Sequence, residues 1–428
     1  MSRISSFIAL LVVIEMVCDA RPWRRYHTTD HRLRHERKRL SLHLARSAFY
    51  KSTTLTSTTT VSPPATATHR HRRKLSKPTR IRNCCRVIIG ITVISGLCVL
   101  KLFIRLIKKG DTHKPRVSLL VYITRSDTRI YYNALGTLKC YAKRHRVHLR
   151  LLYHENFTKY CEQTTIYQRK HCAVAQYLDV NRHVHWAYVL DADTGVVNPN
   201  HSLYEYIDDR VRLILIERFY NWEIASGNYI VKNSRFARDF LRALSTYETR
   251  LPRFGQFDGA MQVHLLKTVL PDAEAEARIC EKLWLTSQHW TDYMDFITCV
   301  RLVLGSQRLW LEKVKIFHRA EGWVMDQIST DGMWCSRMFM MHGWKRTEVN
   351  ADSWALMATP HSQQCEPHNP TEWSYNPTLN VSCDQVKEVL LKKEALFASH
   401  FKRAANFQPH AGIGSCWPYC GGKPSDEK

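Results

Sequence analysis

Two carboxylates two positions apart, Asp191 and Asp193, stand in Leu190-Asp191-Ala192-Asp193-Thr194. The apolar run Trp186-Ala187-Tyr188-Val189 leads into them and reads as a buried strand. In extended backbone, residues i and i+2 point the same way, so both carboxylates can face one divalent cation. Carboxylate oxygens suit hard ions, Mn²⁺ or Mg²⁺. At the carboxyl end of a strand in an α/β sheet, such an ion lies where these folds bind ligands.

The elements that must position this pair are legible from periodicity. Strands are expected at Val117–Ile123, Val147–Leu152, Trp186–Leu190, Val211–Ile216 and Asn228–Val231, with another near Leu311–Phe317. Between them, helical spacing covers Ile130–His145, Ile166–Val180, a segment capped by Ser234 and running to Leu244, and Gly259–Val269, which ends before Pro271. Further helices are expected at Ala273–Leu285, Thr291–Leu304 and Val386–Phe401. Alternating strands and helices predict an α/β fold with a mostly parallel sheet flanked by helices on both faces. The segment 322–344 shows no period and is rich in Trp and Met.

Charge separates the chain into two parts. Of a formal net charge of +25 over 428 residues, residues 1–116 hold 25 Lys and Arg against 5 Asp and Glu. The excess belongs to a tail, which argues against nucleic-acid binding by the folded body. Residues 1–86 read as a basic, low-complexity tail, rich in His and Arg, then in Thr and Ser. Residues 87–107 are almost wholly apolar and long enough to cross a bilayer as one helix. More basic residues precede this span than follow it, which places the N-terminus in the cytosol and the C-terminal part in the lumen. The alternative is a buried core helix. A shorter apolar run at 7–18 is either a cleaved signal or a weak hydrophobic segment of the tail, and both keep the chain in the secretory membrane system. A short stem, 108–116, leads to a body at 117–420, followed by a tail at 421–428.

The body holds ten of the 14 cysteines, an even number that suits disulfides in an oxidising lumen, with the pairing open. Cys416-Trp-Pro-Tyr-Cys420 reads as a disulfide or as half of a zinc site. Cys84 and Cys85, before the span, are palmitoylation candidates or free thiols. Asn156, Asn200 and Asn380 each open an acceptor sequon.

Three stretches carry a family resemblance. They are Tyr188-Val-Leu-Asp-Ala-Asp-Thr-Gly-Val-Val-Asn-Pro199, Glu217-Arg-Phe-Tyr-Asn-Trp-Glu-Ile-Ala-Ser-Gly-Asn-Tyr-Ile-Val-Lys-Asn233 and Met341-His-Gly-Trp-Lys345. From about Val117 to Cys420 the chain resembles domain of unknown function 273, a family expanded in nematodes and thought to be glycosyltransferase-like. It is distantly similar to yeast α-mannosyl and plant α-galactosyl/xylosyl transferases. The resemblance implies a GT-A fold, a sugar-nucleotide donor, and a glycan or glycoprotein acceptor. With the span at 87–107, a membrane-anchored, single-pass protein of the secretory pathway is expected, the Golgi in particular, and the paired carboxylates call for Mn²⁺ or Mg²⁺ as cofactor. Asp193 is then a direct metal ligand, Asp191 bridges metal and donor ribose, and His342 is the third ligand. Gly343 and Lys345 join the donor site, Lys345 at the diphosphate. In Ser226-Gly227-Asn228, either the glycine lets backbone approach the sugar and Asn228 bonds its hydroxyls, or the stretch is a plain turn.

One departure stands out. Where the resemblance leads one to expect Asp-Asn-Gly before a Gln-x-His helix, this chain has Phe257-Asp258-Gly259-Ala-Met-Gln262-Val-His264. Either Asp258 takes the acidic role, with Glu223 second, or this copy is a catalytically inactive glycan-binding protein. The Asp-x-Asp nucleophile of haloacid-dehalogenase-like phosphatases is a poorer match. It has Thr two places after the second Asp, where Gly195 stands here.

Overall fold

The computed structural model describes residues 115–345, 354–368, 371–406 and 417–418. The N-terminal tail, the 7–18 segment, the 87–107 span, Cys416 and Cys420 all lie outside these residues. Among the described residues, no helix is long and apolar enough to cross a membrane.

The body is built on a seven-stranded sheet. Its strands are β1 (Val117–Ile123), β2 (His148–Tyr153), β3 (Trp186–Leu190), β5 (Leu213–Ile216), β6 (Tyr229–Lys232), β7 (Leu309–Trp310) and β8 (Val314–Phe317). Their spatial order is β2-β1-β3-β6-β5-β8-β7. A second sheet, of three short strands, has the order β4-β10-β9, from β4 (Thr194–Val196), β9 (Val324–Asp326) and β10 (Met340–His342).

Strand alternation divides the core between the two faces of the large sheet. On β3, Trp186, Tyr188 and Leu190 enter one apolar cluster with α1 (Tyr132–His145) and the small sheet. Ala187 and Val189 enter the other. That second cluster is covered by α2 (Ile166–Val180), α3 (Arg235–Ser245), α4 (Gln256–Val269), α5 (Glu274–Leu285) and α6 (Trp290–Leu304). With both faces covered, β1 and β3 are buried along their whole length, which is why they read as unbroken apolar runs.

The expectation of a mostly parallel sheet is corrected. The pairs β1–β2, β1–β3 and β5–β8 are parallel, whereas β3–β6, β5–β6 and β7–β8 are antiparallel. Parallel neighbours need a long crossover. Residues 217–228, between β5 and β6, contain no helix, so the chain reverses and returns antiparallel. This reversal brings the start of β6 beside the end of β3.

Among the described residues, four disulfides tie the body: Cys140–Cys365, Cys161–Cys172, Cys280–Cys299 and Cys335–Cys383.

Candidate metal centre

The sheet junction builds the site. β3 ends at Leu190, and Asp191–Asp193 form a turn closed by the Thr194 amide donating to the Asp191 carbonyl at 3.0 Å. The next residues are β4, which pairs antiparallel with β10 in a register that sets His342 opposite Thr194. The imidazole therefore arrives next to the carboxylates through backbone pairing. Gly195 permits this, because a Cβ there would overlap the Trp344 ring. The Trp344 amide also donates to the Asp193 carbonyl at 2.9 Å.

Asp191, Asp193 and His342 each offer one ligand atom, and these atoms lie within 4.8 Å of one another. His342 Nε2 is 3.2 Å from Asp193 Oδ1 and 3.5 Å from Asp191 Oδ2. Two carboxylates and one imidazole suit a divalent ion of the Mn²⁺ or Mg²⁺ kind, so the residues fit the expected metal. Burial works to lower the pKa of His342, but Asp193, Asp191 and Asp326 outweigh it and hold the imidazole well above its ordinary value. For Asp191, burial favours the neutral acid, yet Lys170 and His342 hold the carboxyl far below its usual range.

Lys170 was not singled out from sequence. It is buried on α2, with Nζ 2.8 Å from Asp191 Oδ1 and 3.0 Å from the Gly227 carbonyl oxygen. Its position in a helical pattern gave no signal, since lysine there usually faces solvent. Gly227 owes its place to the same carboxylate: a Cβ would overlap Asp191 Oδ2. The Asn228 side-chain oxygen accepts from the Asp191 amide at 3.1 Å and from the Thr194 hydroxyl at 3.0 Å. Asn228 is buried, and its side-chain oxygen braces the turn.

Two cavities meet at the triad. One, of about 340 Å³, is lined by residues that include Tyr122, Tyr131, Tyr167, Lys170 and Asp191. The other, of about 610 Å³, includes Tyr220, Asp326, Gln327 and Gly343. Asp193, Arg218, His342 and Lys345 line both. Lys345 Nζ is 3.9 Å from Asp193 Oδ2. Gly343 has φ +102°, a conformation that favours glycine. Phe257, at the departure from the family pattern, stacks on Tyr167 with ring centroids 4.0 Å apart and so supports a wall of the first cavity.

Asp258 and Glu223, the two acids expected to act on substrate, line neither cavity. Asp258 Oδ1 accepts from the amide and the hydroxyl of Ser226, both at 2.7 Å. Glu223 is buried and accepts from the Tyr293 hydroxyl at 2.8 Å. Arg218 joins the acids to the metal side: its guanidinium is 3.1 Å from Glu223, 3.7 Å from Asp258 and 3.0 Å from Asp326. It lies within a stretch that carries the resemblance, but only the fold shows what it connects.

Burial, and then the Asp258 charge, push the Glu223 carboxyl from 4.5 up to about 7. The fold thus keeps a proton that the unfolded chain releases above about pH 4.5. Stability contributed by this group declines as pH rises from about 4.5 to 7 and then levels off. Glu223→Gln is expected to flatten this part of the profile. Urea unfolding at pH 5 and pH 8 checks it, and equal losses in parent and variant would refute the assignment.

One solved structure similar to this chain is described as "crystal structure of a glycosyltransferase involved in the glycosylation of the major capsid of PBCV-1". The likeness has a TM-score of 0.33 at 10% identity and covers 53% of this chain and 93% of that one. No curated protein matches. A family model matches residues 138–357, just over half of the sequence and a span that holds Lys170, the Asp191–Asp193 turn, Arg218, Asp326 and His342. The chain belongs to the family described as "Protein of unknown function, DUF273".

Proposed function

We propose that the chain is a metal-assisted glycosyltransferase that moves a hexosyl or pentosyl group from a sugar nucleotide to a glycan or glycoprotein acceptor. The observation that carries this reading is the convergence of Asp191, Asp193 and His342 where two cavities share a border. A bound Mn²⁺ or Mg²⁺ would neutralise charge gathering on a departing diphosphate. Lys345 and Arg218 add fixed positive charge at the same border. Lys170 holds Asp191 in place from below the turn. Tyr131 and Tyr167 offer ring faces in the smaller cavity, suited to a base or a sugar.

The test is a donor screen with the full-length protein. Release of nucleoside diphosphate from one sugar nucleotide, dependent on Mn²⁺ and stopped by a chelator, is the expected result. A catalytically inactive glycan-binding protein is the second reading, and the absence of Asp258 and Glu223 from both cavity linings favours it. Donor binding without turnover under any metal would select it.

The proposal extends to place: a single-pass protein of a secretory-pathway membrane, the Golgi in particular, with its body in the lumen. Four disulfides fit an oxidising compartment. Asn156, Asn200 and Asn380 are exposed, as lumenal acceptors must be. Protein made in a eukaryotic secretory host is expected to lose mass on N-glycosidase treatment. In sealed microsomes its body is expected to resist added protease, and digestion there would defeat the topology.

A further inference from the structure

We propose that Asp326 is an outer-sphere residue of the metal centre, a positioning residue that fixes the His342 ring so that Nε2 faces Asp191 and Asp193. The inference rests on the reading that the triad holds a metal, and it adds a residue that neither the Asp-x-Asp pattern nor the His-Gly-Trp-Lys stretch contains. β9 and β10 run parallel, in a register that sets Asp326 beside His342. Asp326 Oδ1 lies 2.7 Å from His342 Nδ1. With the Nδ1 proton donated to that oxygen, the Nε2 lone pair is left for the ion, the arrangement by which a carboxylate behind an imidazole sets both tautomer and ring angle.

Asp326 gives up another use of its side chain to do this. It is the N-cap residue of the short helix α7 (Gln327–Thr330), yet makes no side-chain cap hydrogen bond. Aspartate is among the preferred N-caps because its carboxylate usually satisfies a free amide of the first turn. Here the carboxylate turns to the imidazole instead. Arg218, which follows β5 of the large sheet, holds the same Oδ1 at 3.0 Å. The pair stretches from one sheet to the other and balances a third carboxylate close to the two that would bind metal. Asp326 is thereby tied to Arg218 and the imidazole, while the ligand set is Asp191, Asp193 and His342.

The probe is Mn²⁺ alone, titrated into the full-length protein and followed by electron paramagnetic resonance. Asp326→Leu removes the acceptor for Nδ1. Asp326→Asn keeps an acceptor and removes the charge. The expected result is Mn²⁺ affinity about 10- to 100-fold weaker in the leucine variant, with the asparagine variant between it and the parent. Thermal melting in chelator monitors the fold, and nitrogen-15 spectra of the imidazole in protein loaded with diamagnetic Mg²⁺ should show a single Nδ1-protonated tautomer in the parent and in Asp326→Asn. Both variants binding Mn²⁺ within about twofold of the parent would overturn the assignment. If Asp326→Leu does not fold, Asp326→Asn decides: unchanged affinity together with a changed tautomer overturns the proposal as well. A parent that binds no Mn²⁺ defeats the metal reading itself, which is a separate outcome.

Discussion

Alanine at position 193 is expected to abolish tight Mn²⁺ binding and to cut donor turnover by about a thousandfold. The estimate takes about 4 kcal/mol for lost stabilisation of the leaving group, at about 1.4 kcal/mol per decade of rate. Asp193 suits this test because its side chain and backbone do different things. The carboxylate faces His342 at 3.2 Å, whereas the carbonyl receives the Trp344 amide. Removing the side chain leaves that backbone contact intact, so β4 and β10 stay paired. The melting temperature in chelator is expected to hold while metal affinity and turnover fall together. Parent and variant turning over the same donor at the same rate would end the metal-assisted reading.

The largest stability effect is expected at Glu217. Its carboxylate is fully enclosed and ion-paired with Arg301 and Arg308, themselves buried. Burial alone would raise its pKa, but the two guanidinium groups bring it down to about 2. Glu217→Ala leaves two buried positive charges facing an empty space, and loss of one partner of such a cluster costs about 3–5 kcal/mol. Glu217→Gln keeps the shape and some hydrogen bonding, so a smaller loss is expected. Denaturant midpoints measure both. Glu217 also begins the reversal between β5 and β6 through its bridge to Ile224. Its loss therefore loosens the segment that carries Arg218 and Glu223. A midpoint for Glu217→Ala within error of the parent would show that the cluster contributes nothing.

The sequence was most readable where burial is complete. β1, α2 and β3 fall where periodicity places them, because runs such as Val117–Ile123 and Trp186–Leu190 have no other stable home than a sheet interior. Ser234 caps α3 as expected, its hydroxyl accepting from the Ala237 amide. Strand direction was not readable, since alternation of elements says nothing of a connection that lacks a helix, such as 217–228. The segment 322–344 showed no period because β9 and β10 are three residues each, too short for alternation to register. His342 came from the family pattern, and the register of β4 with β10 explains why it belongs there. Lys170, Arg218 and Asp326 were invisible for one reason: each is a charged residue whose role is set by a partner 16 to 108 positions away. The glycine in Ser226-Gly227-Asn228 was legible as a need for space, though the space is taken by Asp191.

The ligands are spread along the chain in a way that bears on its biosynthesis. Asp191 and Asp193 leave the ribosome about 150 residues ahead of His342, and β10 cannot pair with β4 until that later stretch has emerged. Domains form as units during synthesis. A nascent polypeptide ending anywhere before residue 342 thus carries two acids guarded by Lys170 and has no nitrogen to complete a cation cage. Only chains whose β10 has paired with β4 bring the three candidate ligands together.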